Sequence, residues 1–522
     1  MSKNLKTNKT LKVRKKNAAV AGVIDIGSNG IRLKIGQNIK NKYSVIEEIE
    51  YPLNLGRDTF NLGKISFEKA DQCCAILKDF LQVCTEYGVK EPKVVATTAI
   101  REASNRDYVL DQIKIQTGTQ VKILDNQEEK YYIFRMMCSL IQKEDKCSAL
   151  MAYIGSGNLG VSCLENGDIN YAQNIKLGSL RINELFEMTQ QYSKDYYIVV
   201  EEYLESIINN LEGYIPETIQ NFVVSGSDIR TICALCSAEA RENVYYIDKE
   251  RLVRLYDEIK YKSVALIQRD YNLPYEKAEV ILPAICIYNS FLTFTKAEKI
   301  IAPYVHLVDG LIYELLYPKD FAIINKDFTR GTLLSARNIA KRFNCDGSHA
   351  ATVEKYALTI FDKMKKEHDL SQRERLILQV AAILHDVGKY VNQLSAYKHS
   401  YEIISNLDII GLSAKEIEIA ANICYYYVKS DMRRTEFMLL SARERIIIAK
   451  LSAILRLADS LDRSHRHKFD TIAVKVTDEK IMITIQTDKN VELEEWYFDL
   501  KADFFEEVFG IKSVLSVKKV LL

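Results

Sequence analysis

Asp25 stands at the end of an apolar run, directly before the glycine-containing turn Gly27-Ser28-Asn29-Gly30. The run resumes with alternating character after the turn, so the stretch is typical of a strand, a tight turn and a second strand. Glycines permit positive φ, and the backbone N–H groups of such a turn can then converge on an anion. Asp25 would hold a divalent cation on the same phosphate. The pattern is equally compatible with an ordinary hairpin that carries an aspartate at its rim.

Two later stretches could supply further parts of a phosphate site. A β-like run ends in Thr97 and Thr98 and is followed by Arg101, and hydroxyls beside a guanidinium suit an anion. Another short strand runs into the pair Glu128 and Glu129, where a carboxylate could act as general base toward a water that attacks phosphorus. The alternative is that the pair only forms the acidic first turn of a helix, which the helix dipole favours.

A second glycine turn resembles the first in its position after an apolar strand-like run. Gly27 and Gly155 are 128 positions apart, and a third strand-like run ends in another small-residue turn. This repetition predicts a duplicated α/β architecture with a cleft between two lobes. We expect the second and third turns to contribute these phosphate-binding residues: Gly155, Ser156, Gly157, Asn158, Ser225, Gly226 and Ser227.

The composition is that of an ordinary globular chain. With 522 residues, 48% hydrophobic and 27% charged, the chain is long enough for about three or four domains. The net charge of +1 gives no overall electrostatic attraction to nucleic acid or membranes, so we expect neither as a specific partner. The 11 cysteines are scattered, which favours reduced thiols in the cytoplasm. Cys233 and Cys236 lack a second pair and are expected to be buried thiols, not zinc ligands.

Residues 1–19 form a basic tail that we expect to be disordered. The first 17 residues contain seven lysines and arginines and no acid, so a polyanion-binding arm is the alternative. The apolar run after the tail is interrupted by the first glycine turn and does not form a signal peptide. No stretch reaches the roughly 18 apolar residues of a membrane helix.

The last third of the chain changes character. Long amphipathic helical patterns predict an all-α domain over residues 325–467, which contains His349, the adjacent His385 and Asp386, and Asp459. A His-Asp pair inside a helix is usually a satisfied polar contact. Residues 468–522 contain two alternating strands, a helix and a last strand, which predicts a small α+β module.

Taken together, the motifs before residue 320 resemble the Ppx/GppA family of exopolyphosphatases and guanosine pentaphosphate phosphohydrolases. The matching stretches, in order, are Ile24–Asn29, Ala96–Asn105, Glu128-Glu129, the turn from Gly155, and Leu177–Arg181. The resemblance implies the actin-like fold of sugar kinases and heat-shock ATPases, with lobes at residues 20–135 and 136–320. The expected fold class is therefore duplicated actin-like α/β lobes followed by an all-α domain and a small α+β module.

The resemblance also implies an activity. Family members release terminal orthophosphate from inorganic polyphosphate or from guanosine pentaphosphate, by in-line attack of water with Mg²⁺ or Mn²⁺ bound. On the matching positions Glu128 is the catalytic base, Arg101 faces the phosphate and Asp25 is the metal carboxylate. The first phosphate loop corresponds to Gly27, Ser28 and Asn29. Longer members pair their subunits, which implies a homodimer.

The second loop departs from the family pattern Asp-Ile-Gly-Gly-Gly-Ser-Thr-Glu. Tyr153 stands where a metal-binding aspartate is expected, Gly160 replaces the final glutamate, and Asn126 replaces a glycine near the glutamate pair. A phenol with its usual pKa near 10 does not replace a carboxylate toward a hard cation. A catalytically impaired sensor of polyphosphate or nucleotide therefore remains as an alternative.

The helical domain carries a second resemblance. His349, His385-Asp386 and Asp459 are spaced like the His…His-Asp…Asp pattern of HD-domain metallophosphohydrolases, which implies that these four residues hold a metal. Other histidines usual in such domains are absent, and Tyr427 stands at a position that is often histidine. We therefore expect a one-metal site or an inactive structural domain, not a two-metal centre.

Overall fold

The computed structural model describes residues 19–519, apart from residues 41, 142–147, 166–167, 193–194, 210, 212–214, 217, 242, 410, 430–431 and 433–434. The predicted basic tail, except for its last residue, lies outside the described residues. The described residues form two α/β lobes and a helical part that ends in a small sheet.

The first lobe is a five-stranded sheet with helices packed against it. Its strand order is β3-β2-β1-β4-β5, with β4 and β5 parallel to β1 and the first three strands antiparallel. The elements are β1 (Ala19–Ile26), β2 (Gly30–Ile39), β3 (Lys42–Pro52), α1 (Leu55–Leu62), α2 (Phe67–Glu86), β4 (Lys93–Ala96), α3 (Thr98–Glu102), α4 (Arg106–Thr117), β5 (Lys122–Ile123) and α5 (Asn126–Leu140).

The second lobe is built on a seven-stranded sheet with the order β10-β11-β12-β9-β6-β7-β8. Its elements are β6 (Ser148–Ile154), β7 (Leu159–Glu165), β8 (Asp168–Ile175), α6 (Ser179–Leu185), α7 (Glu187–Tyr192), α8 (Tyr196–Ile208), β9 (Asn221–Gly226), α9 (Ile229–Leu235), β10 (Glu239–Arg241), β11 (Val244–Asp248), α10 (Lys249–Ile259), α11 (Val264–Tyr271), α12 (Tyr275–Leu292), β12 (Lys299–Pro303) and α13 (Leu307–Leu316).

The two sheets share one topology. In each, the first strand lies inside the sheet, the second and third lie on one side as an antiparallel meander, and the next strand pairs in parallel on the other side. A second parallel strand follows in both sheets, and the seven-stranded sheet ends in the antiparallel strands β11 and β10. Strand β6 is buried on both faces at nearly every position. A strand with two buried faces has a continuous apolar sequence, which is why β6 is an apolar run and does not alternate. The central strands β1 and β6 each end in one of the glycine turns. The predicted duplication is confirmed at this level.

Helices α5 and α13 lie between the two sheets. Ile133, Phe134 and Met137 of α5 pack in one buried cluster with Leu311 and Ile312 of α13, and this cluster includes side chains from both central strands. The first residues of α5 are thereby held at the cleft between the lobes.

The C-terminal part is helical and ends in a small mixed sheet with the order β13-β14-β15. One continuous apolar core joins the helices to this sheet, since Ile483 of the sheet and Phe505 of the last helix belong to the same cluster as the helical domain. The elements are α14 (Pro318–Arg342), α15 (Gly347–Lys363), α16 (Lys365–His368), α17 (Gln372–Leu384), a 3₁₀ turn (Val387–Tyr390), α18 (Ala396–Ser405), α19 (Ala414–Tyr426), α20 (Thr435–Met438), α21 (Ala442–Ser460), β13 (Ile472–Val476), β14 (Lys480–Thr487), α22 (Glu492–Phe509) and β15 (Lys512–Lys519).

The loop before α19 contacts the lobes at the start of α5. The Asp408 carboxylate accepts a hydrogen bond from the backbone N–H of Asn174 at 2.8 Å and another from the Gln127 side chain. The Ala414 N–H donates to the Asp125 carboxylate at 2.9 Å. The helical domain is therefore attached to the same helix end that carries the glutamate pair.

Candidate functional site

The two glycine turns have matching backbone geometry. The Gly27 N–H donates to the Gly30 carbonyl at 2.9 Å, and the Gly155 N–H donates to the Asn158 carbonyl at the same distance. Contrary to the expectation from sequence, none of these glycines has a positive φ. Close packing is the reason for glycine instead, since a Cβ on Gly30 would lie 2.4 Å from the Tyr51 carbonyl oxygen.

Both turns face one small cleft of about 90 Å³ between the lobes. Asp25 and eight of the ten residues predicted to bind phosphate line this cleft. The lining residues among the predictions are Asp25, Gly27, Ser28, Asn29, Gly155, Ser156, Gly157, Asn158 and Ser227.

Ser225 and Gly226 do not line the cleft, and this part of the prediction is corrected. Ser225 is fully buried and its hydroxyl donates to the Val305 carbonyl at 3.0 Å, so it joins β9 to the segment that follows β12. Gly226 has a φ of 152°, and a Cβ there would lie 2.0 Å from the Ile154 carbonyl oxygen. Its role is to allow the close approach of β9 and β6.

Asp25 is poised to receive a cation. Its Oδ1 atom is buried and, among the described residues, has no hydrogen-bond partner. Burial, and then the nearby Glu129 carboxylate, raise the pKa of Asp25 to about 7. A divalent cation would satisfy this oxygen, and Mg²⁺ commonly binds through one or two carboxylates together with substrate phosphates and water. The site therefore fits a divalent cation that Asp25 holds through one carboxylate, with phosphate and water as its other ligands.

The glutamate pair is divided between two surfaces. Glu128 completes a capping box at the start of α5, where its carboxylate accepts from the Asp125 N–H at 3.3 Å, and it forms an ion pair of 2.5 Å with Lys122. It lines a separate cavity between α5 and the helical domain. Glu129 lies in the phosphate cleft, is 7% exposed, and has an Oε2 atom without a hydrogen-bond partner among the described residues. In this geometry Glu129 lines the phosphate cleft and Glu128 does not.

Arg101 lies behind the cleft and does not line it. Its guanidinium donates to the Leu124 carbonyl at 2.6 Å, to the Thr98 hydroxyl at 2.9 Å and to the Asn126 side chain. One of its nitrogens is 3.5 Å from Oε2 of Glu129. Arg101 thus lies beside Glu129 and does not line the cleft, whereas the resemblance implies an arginine that faces the phosphate.

The departures in the second loop have structural consequences. Tyr153 lines the cleft, and burial together with the Glu129 and Asp25 carboxylates raises its pKa, so the phenol is neutral. Asn126 lies within hydrogen-bond distance of Asn158, in a buried polar group beneath the loop. Several further residues of the cleft were missed from sequence, because isolated charged or aromatic residues give no local signal: Arg32, Glu50, Lys277 and His306.

The four residues singled out in the helical domain lie together in its interior. His349 Nε2 is 3.4 Å from Asp459 Oδ1 and 4.0 Å from Asp386 Oδ2, and His385 Nε2 is 3.7 Å from the same Asp459 oxygen. Both Nε2 atoms are buried and, in the described part of the chain, have no hydrogen-bond partner. Two imidazole nitrogens directed at two carboxylates form a donor set that suits a transition metal.

The groups around this cluster fix its geometry. The Asp462 carboxylate lies 2.8 Å from His349 Nδ1 and accepts its hydrogen bond, which leaves Nε2 directed at the centre. The His465 ring stacks on His349 with centroids 3.6 Å apart, and the Tyr427 hydroxyl donates to Asp386 at 3.2 Å. Burial would lower the pKa of His349, but the nearby Asp459, Asp462 and Asp386 carboxylates outweigh it and raise the pKa to about 9. Asp462 and His465 were missed from sequence.

Solved structures with a similar fold support the actin-like description of the lobes. An exopolyphosphatase from Cytophaga hutchinsonii is 20% identical with a TM-score of 0.53, and the match covers 57% of this chain and 98% of that one. The Ppx/GppA family member of Aquifex aeolicus is 21% identical with a TM-score of 0.50, and the match covers 58% and 99%. The lobes therefore have the expected duplicated actin-like fold.

Sequence comparisons extend over both halves of the chain. A guanosine-5'-triphosphate,3'-diphosphate pyrophosphatase of Photobacterium profundum is 20% identical over 471 residues, or 88% of this chain and 90% of its own length. A bifunctional 3-dehydroquinate synthase/phosphatase of Fusobacterium nucleatum is 22% identical over 316 residues, or 57% and 47%. The model of Ppx/GppA phosphatase domain III matches residues 333–501. The model of the family itself matches residues 35–318, more than half of the chain, and the protein therefore belongs to the Ppx/GppA phosphatase family.

Proposed function

We propose that this protein removes terminal orthophosphate from inorganic polyphosphate, by attack of a water molecule that Glu129 deprotonates. The observation that carries the proposal is the position of Glu129, which lies in the same cleft as the two glycine turns and has an unpartnered carboxylate oxygen among the described residues. A general base must lie within hydrogen-bond reach of the proton it removes. Glu128, the base expected from the resemblance, faces away from this cleft.

The glycine turns would bind the terminal phosphate. Backbone N–H groups near Ser28 and Asn29 on one side, and near Ser156 and Gly157 on the other, border the cleft. Such donors stabilise the charge that develops on phosphoryl oxygens. Mg²⁺ or Mn²⁺ held by Asp25 would supply further charge neutralisation.

Arg101 acts as a positioning residue for the base. Its guanidinium is fixed by three hydrogen bonds and lies 3.5 Å from Oε2 of Glu129. The guanidinium attracts the carboxylate, so Arg101 helps to hold the Glu129 side chain in place.

The alternative substrate is guanosine pentaphosphate, which presents the same type of terminal phosphoryl group. The Cytophaga relative is described as an exopolyphosphatase and the Photobacterium relative as a guanosine nucleotide pyrophosphatase. Orthophosphate release should be measured on both substrates, with Mg²⁺ and with Mn²⁺. Faster release from polyphosphate supports the proposal, and release only from the nucleotide selects the alternative.

A catalytically impaired sensor is the remaining interpretation of the cleft, because Tyr153 and Gly160 remove two carboxylates that the family pattern carries. The sensor and the enzyme are distinguished by comparing wild type with Glu129→Gln. An active wild type and an inactive variant support the enzyme. If both bind polyphosphate and neither releases orthophosphate, the sensor is correct.

We propose in addition that the helical domain holds one metal ion through His349, His385, Asp386 and Asp459, as the HD-type resemblance implies. The observation that favours this site is the pair of buried Nε2 atoms without hydrogen-bond partners in the described part of the chain. Lys389 and Tyr427 both bind Asp386, which argues for one metal and against two. Metal analysis should find about one Mn²⁺ or Fe per chain at this site, and the Asp459→Asn variant should lose it.

We also propose an oligomeric state and a cellular location for the protein. A homodimer is testable by light scattering coupled to size-exclusion chromatography. A cytoplasmic location is testable by cell fractionation. In the described part of the chain, no helix is long and apolar enough to cross a membrane.

A further inference from the structure

Lys130 is a buried lysine directly behind the phosphate cleft. It comes after Glu129 in the first turns of α5, and its side chain is 2% exposed. Its aliphatic stem fills the space beside Gly160, where a Cβ would lie 2.7 Å from Cδ and 2.8 Å from Cε of the lysine. The absence of a side chain at position 160 is therefore what admits the lysine.

The ammonium group of Lys130 lies among groups of the cleft. It is 3.6 Å from Oε1 of Glu129 and 4.4 Å from the centre of the Tyr153 ring. Among the described residues, Nζ has no hydrogen-bond partner. A buried ammonium is costly unless negative charge offsets it. Burial lowers the pKa of Lys130, the Glu129 carboxylate opposes this effect, and the Arg101 guanidinium adds to it.

Compared with the family pattern, this cleft has lost two carboxylates and gained the ammonium group of Lys130. Two positions where the family pattern has carboxylates are here a neutral phenol at Tyr153 and a glycine at Gly160, and the space is taken by a cation. A fixed ammonium beside Glu129 reduces the negative charge of the cleft that Glu129 and Asp25 line, and this charge would repel phosphate. The same ammonium repels a divalent cation that approaches these carboxylates.

We propose that Lys130 is a fixed positive charge of the phosphate cleft, which allows phosphate to bind without a divalent cation and weakens the binding of a divalent cation at Asp25. The inference rests on the proposed phosphate cleft and extends it to the ion requirement. It assigns to Lys130 part of the charge neutralisation that a metal otherwise supplies.

The test measures two affinities by isothermal titration calorimetry on the full chain. Inorganic phosphate is titrated in the presence of EDTA, and MnCl₂ is titrated separately in the absence of phosphate. The variant is Lys130→Met, which keeps the length of the stem and removes the charge. The matched control is Lys93→Met, which removes a lysine charge that pairs with Glu314 at 2.8 Å away from the cleft.

Lys130→Met should weaken metal-free phosphate binding by roughly tenfold and tighten Mn²⁺ binding at the cleft by a similar factor, because one nearby unit charge is lost. To separate the cleft from the helical domain, Mn²⁺ is titrated into proteins that also carry Asp459→Asn. Lys93→Met should change neither affinity. If Lys130→Met also changes neither, the lysine only fills space and the inference is wrong.

Two safeguards keep the result interpretable. Circular dichroism checks folding, and Lys130→Gln provides a second uncharged variant if Lys130→Met does not fold. Orthophosphate release is measured in a separate assay, so that failure of the hydrolase proposal and failure of this inference can be told apart. Opposite shifts in the two affinities, in a chain that releases no orthophosphate, would support this inference while the hydrolase proposal fails. Unchanged affinities in an active chain would overturn this inference alone.

Discussion

Gly178→Ala tests whether activity depends on the exact position of the second phosphate loop, which packs against Gly178. Gly178 is the N-cap of α6, and its φ of −164° is accessible to any residue, so the substitution acts through space alone. A Cβ at this position would lie 2.4 Å from the Ser156 carbonyl oxygen and 2.5 Å from the Gly155 carbonyl oxygen. Both are backbone atoms of the loop, so relief requires the loop or the helix to move.

The expected losses in stability and rate depend on how far the loop or the helix must move. Reaching an ordinary contact of 3.4 Å requires a shift of roughly 1.0 Å, and overpacking of this kind costs about 1–3 kcal/mol of unfolding free energy. A misplacement of about 1 Å at a reacting group lowers the rate by about 10²-fold. The loop is also joined to α6 by the Arg181 N–H, which donates to the Ser156 carbonyl at 3.0 Å. The shift will therefore affect both elements.

The assay measures kcat/KM for orthophosphate release together with urea unfolding. Gly347→Ala is the matched control, because a Cβ there meets no atom of the described residues within 4 Å and the position lies at the start of a helix far along the chain. We expect Gly178→Ala to lose at least tenfold in kcat/KM, and Gly347→Ala to keep the wild-type value. Wild-type activity and stability in Gly178→Ala would refute the packing argument.

Two further predictions concern the helical domain. In EDTA, the raised pKa of His349 stabilises the fold fully below its unfolded value of about 6.5, and this contribution is lost as the pH rises toward about 9. The difference in melting temperature between wild type and His349→Gln should therefore shrink over that range, and a constant difference would contradict the assignment. Asp408→Ala removes the acceptor for the Asn174 N–H and the Gln127 side chain, so small-angle scattering should show a larger radius of gyration. An unchanged radius would show that other contacts suffice to attach the domain.

Most of the fold was predictable because its signals are local and repeated. Each central strand is an apolar run that ends in a glycine turn, and the repetition of that unit identified two lobes. The common core of the helical domain and the last sheet was not predictable, because contacts such as that of Ile483 with the helical cluster join residues far apart in sequence. Helix α22, which begins at Glu492, packs Phe498 in that same core.

The sequence identified most residues of the site, but it did not predict which way their side chains face. Glu128 and Glu129 are adjacent on a helix, so their side chains differ by about 100° around its axis, and only the packing of α5 decides which faces the cleft. Ser225 and Gly226 have the composition of a phosphate turn but serve the contact between two strands. Lys130 carries no local signal at all, since its position depends on the missing side chain of Gly160 in the other lobe.

The most direct test of the proposed mechanism compares Glu129→Gln with Glu128→Gln in kcat/KM for orthophosphate release from polyphosphate. Loss of a general base costs about 10²–10⁴-fold, and this loss is predicted for Glu129→Gln. Glu128→Gln should remain within about threefold of wild type, because a glutamine at that position still completes the capping box. A large loss in Glu128→Gln with an active Glu129→Gln would contradict the central claim.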